Sequence, residues 1–156
     1  MRDALALLTP EGLEGVVATV GDNNPGMDQS TAERIVAEAL KFVHAAAQFP
    51  TARIAPSRVV DEGWHALILH TELYSTLCEG FGTFVHHYPE RPDSGRYDEH
   101  VLTRTMATIE QAGYATDTEL WMNPGKPMVG VAAQCNHTPC GPIRPGNCAT
   151  HGGGEG

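Results

Sequence analysis

Apolar residues recur at three- and four-residue steps through most of the first 122 positions, a spacing that puts them on one side of a helix. Thr9-Pro10-Glu11 provides a hydroxyl cap, a proline at the first helical position and an acid in the first turn, ahead of Leu13, Val16, Val17 and Val20. This first helix is expected to stop in the Gly- and Asn-rich stretch from Gly21 to Gly26. Ser30-Thr31-Ala32-Glu33 has the form of a capping box, and Ile35, Val36, Ala39, Leu40, Val43 and Ala47 follow it as the buried stripe of a second helix. Phe49-Pro50 ends that element. Ser57 then caps a third helix predicted to run from Arg58 to Glu79 and to close at Gly80. After a loop containing Gly82, Pro89 and Pro92, Asp93 or Ser94 offers a cap for a fourth helix with Val101, Leu102, Thr105, Ile109 and Ala112 inward and Gly113 as its stop. Asp117 to Trp121 can add one short turn.

From Asn123 the pattern lapses: Pro, Gly and Cys dominate and helical period is lost. The prediction is therefore all-α, with residues 1–122 as a small bundle of about four helices and residues 123–156 as an irregular Gly/Pro/Cys-rich tail, metal-ordered if its Cys bind an ion. At 156 residues the chain suits one core with appendages. Ten Lys and Arg against nineteen Asp and Glu leave a formal charge of −9 and no basic cluster, so nucleic acid and anionic membranes are poor partners. No apolar run approaches a membrane span, and the acidic start of the N-terminus does not read as a signal peptide, so a cytoplasmic protein is expected. In a reducing compartment the four Cys are expected as thiols or metal ligands, and eight His strengthen the metal option.

The third predicted helix holds most of the chemistry. At about 100° per residue, Leu67, His70, Leu73, Tyr74 and Leu77 share one face, and Asp61, His65, Glu72 and Glu79 the other. His70, Tyr74 and Cys78 follow one another at four-residue steps along the edge of the apolar face and could converge on an interior ion; as plain core residues they would instead have satisfied polar ends. His65 stands one turn after Asp61, the spacing in which a carboxylate accepts the second ring N–H of a metal-bound imidazole, and also that of an ordinary surface pair. Trp64 beside it argues for a partly closed site, since an indole is rarely left in water. Beyond Gly80 come the adjacent His86 and His87. Two consecutive side chains cannot point the same way in a regular element, so one or the other is expected as a further ligand. Two or three imidazoles suit Zn, Fe or Cu.

Asp61-x-x-Trp64-His65, then Tyr74-x-x-x-Cys78 and Gly82-x-x-x-His86, resembles the domain of the plant glycine-rich domain proteins and their short bacterial relatives, over roughly residues 57 to 90. The resemblance implies that Asp61, Trp64, His65, Tyr74, Cys78 and His86 are the positions that matter. It implies no reaction.

In the tail, Cys135, Cys140, Cys148 and His151 have the donors of a tetrahedral Cys₃His zinc site, and Gly141, Pro142, Pro145 and Gly146 permit the turns that would gather them. The alternatives are incidental Cys in a disordered tail, a disulfide from Cys135, or a tail folded back over the third helix. The whole predicts a small metalloprotein. His65, oriented by Asp61, and His86 or His87 bind a transition metal near Trp64, with zinc in the tail. As an enzyme it would be a metal-dependent hydrolase or oxygenase acting on a small molecule, with Tyr74 donating or relaying a proton. The rival is a helical module that binds a protein partner, with zinc serving structure alone. No phosphate-binding Gly-rich loop, G-x-S-x-G elbow or HExxH helix is present.

Overall fold

A computed structural model describes residues 1–88 and 100–122. Among the described residues the fold is all-helical. A short 3-10 turn at Ala4–Leu7 precedes α1 (Pro10–Asn23), α2 (Gln29–Gln48), α3 (Arg58–Leu69), α4 (Thr71–Phe81), α5 (Val101–Gln111) and α6 (Thr118–Met122). The predicted tail, with Cys135, Cys140, Cys148 and His151, lies outside the described residues, as do the suggested caps Asp93 and Ser94.

Local signals account for the starts of the first three helices. Thr9 Oγ1 accepts the Gly12 N–H at 3.0 Å with Pro10 opening α1, and Ser57 Oγ accepts the Val60 N–H at 3.1 Å at the head of α3. Each such cap is worth about 1 kcal/mol. α2 starts earlier than its sequence suggests. Asp28 is the cap, its carboxylate accepting the Thr31 N–H at 2.8 Å, so Ser30 and Thr31 lie inside the first turn.

α2 is the central element, packing on α1, α3, α4, α5 and the 3-10 turn. Ile35, Val36, Ala39, Leu40 and Val43 are wholly buried along it, as the helical period predicts. α3 crosses it very closely at Gly63, where an added Cβ would lie 2.8 Å from the Ile35 carbonyl oxygen and 3.0 Å from Ala39 Cβ. Short as it is, α6 is docked by polar contacts: Ser57 Oγ donates to Leu120 O at 2.8 Å, and Trp121 Nε1–H donates to the buried Glu38 at 2.7 Å. Arg34 adds a two-pronged pairing with Asp117 at 2.8 and 3.0 Å.

The count of helices exceeds the expected four chiefly because the long third helix is broken. His70 takes φ −90° and ψ 78°, ending α3 and opening α4. Its Nε2 lies 2.8 Å from Thr19 Oγ1 on α1, and the same hydroxyl donates to Gly15 O at 3.1 Å, so the imidazole is read as the donor to it. Gly15 lies beside the ring, where an added Cβ would make an ordinary contact with His70 Cε1 at 3.4 Å. A long-range bond thus coincides with the break, and no Pro or Gly at the break itself announces it. α4 ends on Gly82 in the left-handed conformation, φ 88°, with the Thr83 N–H turning back to Cys78 O.

No helix among the described residues is long and apolar enough to cross a membrane.

Candidate metal centre

Two segments build the site. α3 supplies Asp61 and His65 one turn apart, and the extended stretch that follows Gly82 supplies His87. Along that stretch exposure alternates: Phe84, His86 and Tyr88 are exposed, Val85 is half-buried, and His87 is buried at 6% exposure. Successive side chains of an extended chain point to opposite sides, so only one of the adjacent histidines can turn inward.

Asp61, His65 and His87 form the group of metal-type donors found among the described residues. His65 Nε2 and His87 Nε2 are 3.1 Å apart. Asp61 Oδ1 lies 2.9 Å from His87 Nε2, and Oδ2 lies 3.3 Å from His65 Nε2. Protons alone do not satisfy this triangle. Each imidazole Nε2 offers one in-plane site, either a hydrogen or a lone pair, so at most two of the three contacts are hydrogen bonds and the third opposes like groups. A cation facing two lone pairs and a carboxylate relieves all three. The size fits as well: donors held about 2.1 Å from one ion stand roughly 3.0 to 3.4 Å from each other, depending on coordination number.

Asp61 therefore faces the same Nε2 atoms as a donor in its own right, beyond the orienting role its spacing suggested. The environment is asymmetric. His87 packs its ring on Trp64, centroids 4.3 Å apart, and its Nδ1 is buried with no hydrogen-bond partner among the described residues, so its polar outlet is the triad. Asp61 and His65 keep 29% and 25% of their side-chain surface exposed.

Trp64 and Tyr74 stand immediately behind. Trp64 Nε1–H donates to Tyr74 Oη at 3.0 Å, and Tyr74 O–H donates to Val85 O at 2.5 Å. Burial pushes the Tyr74 phenol well above its ordinary value, so it stays protonated and its hydrogen goes to a backbone carbonyl. On the other side of α3, Glu62 is buried and bonded to Asn24 Nδ2 at 3.1 Å; burial raises its carboxyl above the usual range.

The remaining sequence candidates fall elsewhere. His86 is exposed, between the rings of Phe84 and Tyr88 at 4.7 and 5.9 Å. His70 is engaged with Thr19 at the helix break. Cys78 is buried as a free thiol. His70, Tyr74 and Cys78 do stay one turn apart along α4, with the Tyr74 N–H bonded to His70 O, but the His70 ring is turned to Thr19 and the Tyr74 hydroxyl to Val85 O. Val85 was not singled out by sequence, and a residue that acts through its carbonyl oxygen leaves no mark there.

A family model described as UCP032817-like matches residues 10–108, from the start of α1 into α5 and across all three donors. The chain belongs to the UCP032817-like family. That finding corrects the resemblance to the glycine-rich domain proteins, which rested on a short ordered string covering about a fifth of the chain. No curated protein and no solved structure matches the chain. The UCP032817-like match names no activity, so the functional reading rests on the site.

Proposed function

We propose that the protein binds a divalent transition-metal ion through Asp61, His65 and His87, and that the ion keeps coordination positions open to a small molecule. The observation that carries this reading is the 3.1 Å approach of two imidazole Nε2 atoms over one carboxylate, which a cation satisfies and protons do not. Two nitrogens and one oxygen form the 2-His-1-carboxylate set found with Fe(II) and, in its glutamate form, with catalytic Zn. Among the described residues the donors number three, the set of a working site, whereas a closed structural one takes four. Bound there, such an ion would lower the pKa of a coordinated water or offer dioxygen a binding position, so hydrolysis and oxygen chemistry are the two reaction classes it serves. The chain's own contribution is positional. α3 presents two donors at fixed spacing, and the segment anchored by Tyr74 presents the third.

The test is metal content and affinity. Protein purified without chelator is expected to hold one ion per triad, and His65→Ala and His87→Ala are each expected to lose it while staying folded. Co(II) added to metal-free protein should give visible absorption that both substitutions abolish. Unchanged metal content in His65→Ala would remove the triad from consideration. The same assay separates the zinc proposed for Cys135, Cys140, Cys148 and His151 from the triad: metal lost with Cys140→Ser and kept with His65→Ala would favour a protein-binding module with structural zinc.

A further inference from the structure

We propose that the Tyr74 hydroxyl is the latch that delivers His87 to the metal, so that Tyr74 acts as a positioning residue through the Val85 carbonyl. This inference rests on the metal reading above for its functional consequence and on the Tyr74–Val85 bond for its physical one.

His87 is the one donor not carried by α3, and the extended segment bearing it has to be held against that helix by something. Among the described residues its flanking side chains Phe84, His86 and Tyr88 are exposed, with Phe84 meeting only the edge of the Tyr74 ring. The hold comes from Val85, two residues before His87 and on the same side of the segment. Val85 O accepts the Tyr74 O–H at 2.5 Å, and Tyr74 Oη is itself aimed by the Trp64 Nε1–H at 3.0 Å. Trp64 thus serves twice, orienting the phenol and backing the His87 ring at 4.3 Å. Because the Tyr74 ring also meets Phe84 edge-on at 5.4 Å, removing the hydroxyl alone leaves the packing in place and releases only the carbonyl. A freed carbonyl two residues upstream lets His87 leave the triad while Asp61 and His65 stay on their helix.

Residues that orient metal ligands from outside the donor set change affinity about 10- to 100-fold when altered. Tyr74→Phe is accordingly expected to weaken Co(II) and Zn(II) binding by at least about tenfold and to alter the Co(II) visible spectrum toward that of His87→Ala. In the metal-free protein, amide hydrogen exchange of residues 83–88 should quicken in Tyr74→Phe, with the amides of α1 and α2 unchanged. A merely structural tyrosine would instead quicken exchange throughout the core and leave the spectrum of the loaded protein alone. Trp64→Phe, which removes the donor that aims the phenol and trims the ring behind His87, should move exchange at residues 83–88 and Co(II) affinity in the same direction, and it serves as the probe if Tyr74→Phe does not fold. Affinity within twofold of the parent together with unchanged exchange at residues 83–88 would overturn the latch. If the parent itself binds no metal, the metal reading fails, and the exchange measurement alone decides the latch.

Discussion

Replacing Gly63 by alanine tests whether the close crossing of α2 and α3 underlies the scaffold on which the site stands. Gly63 lies between Asp61 and His65 in sequence but faces α2. A Cβ placed there would meet the Ile35 carbonyl oxygen at 2.8 Å and both Ile35 Cγ2 and Ala39 Cβ at 3.0 Å, where ordinary contacts begin at 3.4 Å. Backbone atoms cannot swing aside, so the helices must part by about half an ångström. Overpacking of this kind costs about 1–3 kcal/mol. Against it stands the gain of up to about 1 kcal/mol when alanine replaces glycine inside a helix. The net expectation is a loss of about 1–2 kcal/mol, or roughly 2–8 °C in Tm for a chain of this size. Gly80 is the internal control, because a Cβ there meets nothing within 4 Å. Gly80→Ala should hold or raise Tm through the same propensity term, and the difference between the two variants isolates the crossing. Thermal and urea unfolding followed by circular dichroism provide the assay. Metal affinity should change little in Gly63→Ala, since Asp61 and His65 move together with α3. A Gly63→Ala protein as stable as the parent would refute the close approach, and one destabilised as expected that also loses metal would show that the crossing angle governs the site.

Metal itself should stabilise the fold: at a free concentration one hundred times the dissociation constant the gain is about 2.7 kcal/mol, read as a rise in Tm that chelator reverses and that His87→Ala abolishes. Trp121→Phe puts a smaller ring in place of the indole and removes the donor to Glu38 Oε1, while Lys41 stays paired with Oε2 of this carboxylate, which is only 1% exposed; the change is expected to cost about 2–3 kcal/mol, read as a lowered urea midpoint, and stability equal to the parent's would exclude the Trp121–Glu38 contact as a stabilising one. Burial, and secondarily the charge of Arg2, hold the His44 imidazole below its ordinary value near 6.5. Protonation is therefore harder in the folded chain than in the unfolded one, and the His44 contribution is present above about pH 6.5 and lost as pH falls through the lower folded value. In chelator-treated protein Tm should decline from pH 7 to pH 5, and His44→Gln should decline less; equal slopes would exclude His44 as the source.

Much of the architecture was legible in the chain. Thr9-Pro10 and Ser57 mark helix starts because a cap is chosen by the few residues around it, and the α2 stripe is visible because burial repeats with the helical period. The same locality placed Asp61 and His65 on one face of α3. It failed at His70, whose conformation coincides with a bond to Thr19, a residue 51 positions away. It left open the choice between His86 and His87, and the structure turns Val85 and His87 inward, against the Tyr74 hydroxyl and the Trp64 ring.

By itself, then, the amino-acid order determined an all-helical fold over the described residues, the beginnings of its principal helices and a carboxylate one turn from an imidazole, all of which depend on neighbours within a few residues. Only the tertiary structure decided where the third helix breaks, which histidine completes the triad and that Asp61 faces both rings. Those outcomes depend on groups tens of positions apart competing for the same hydrogen bonds, and local spacing carries no record of that competition.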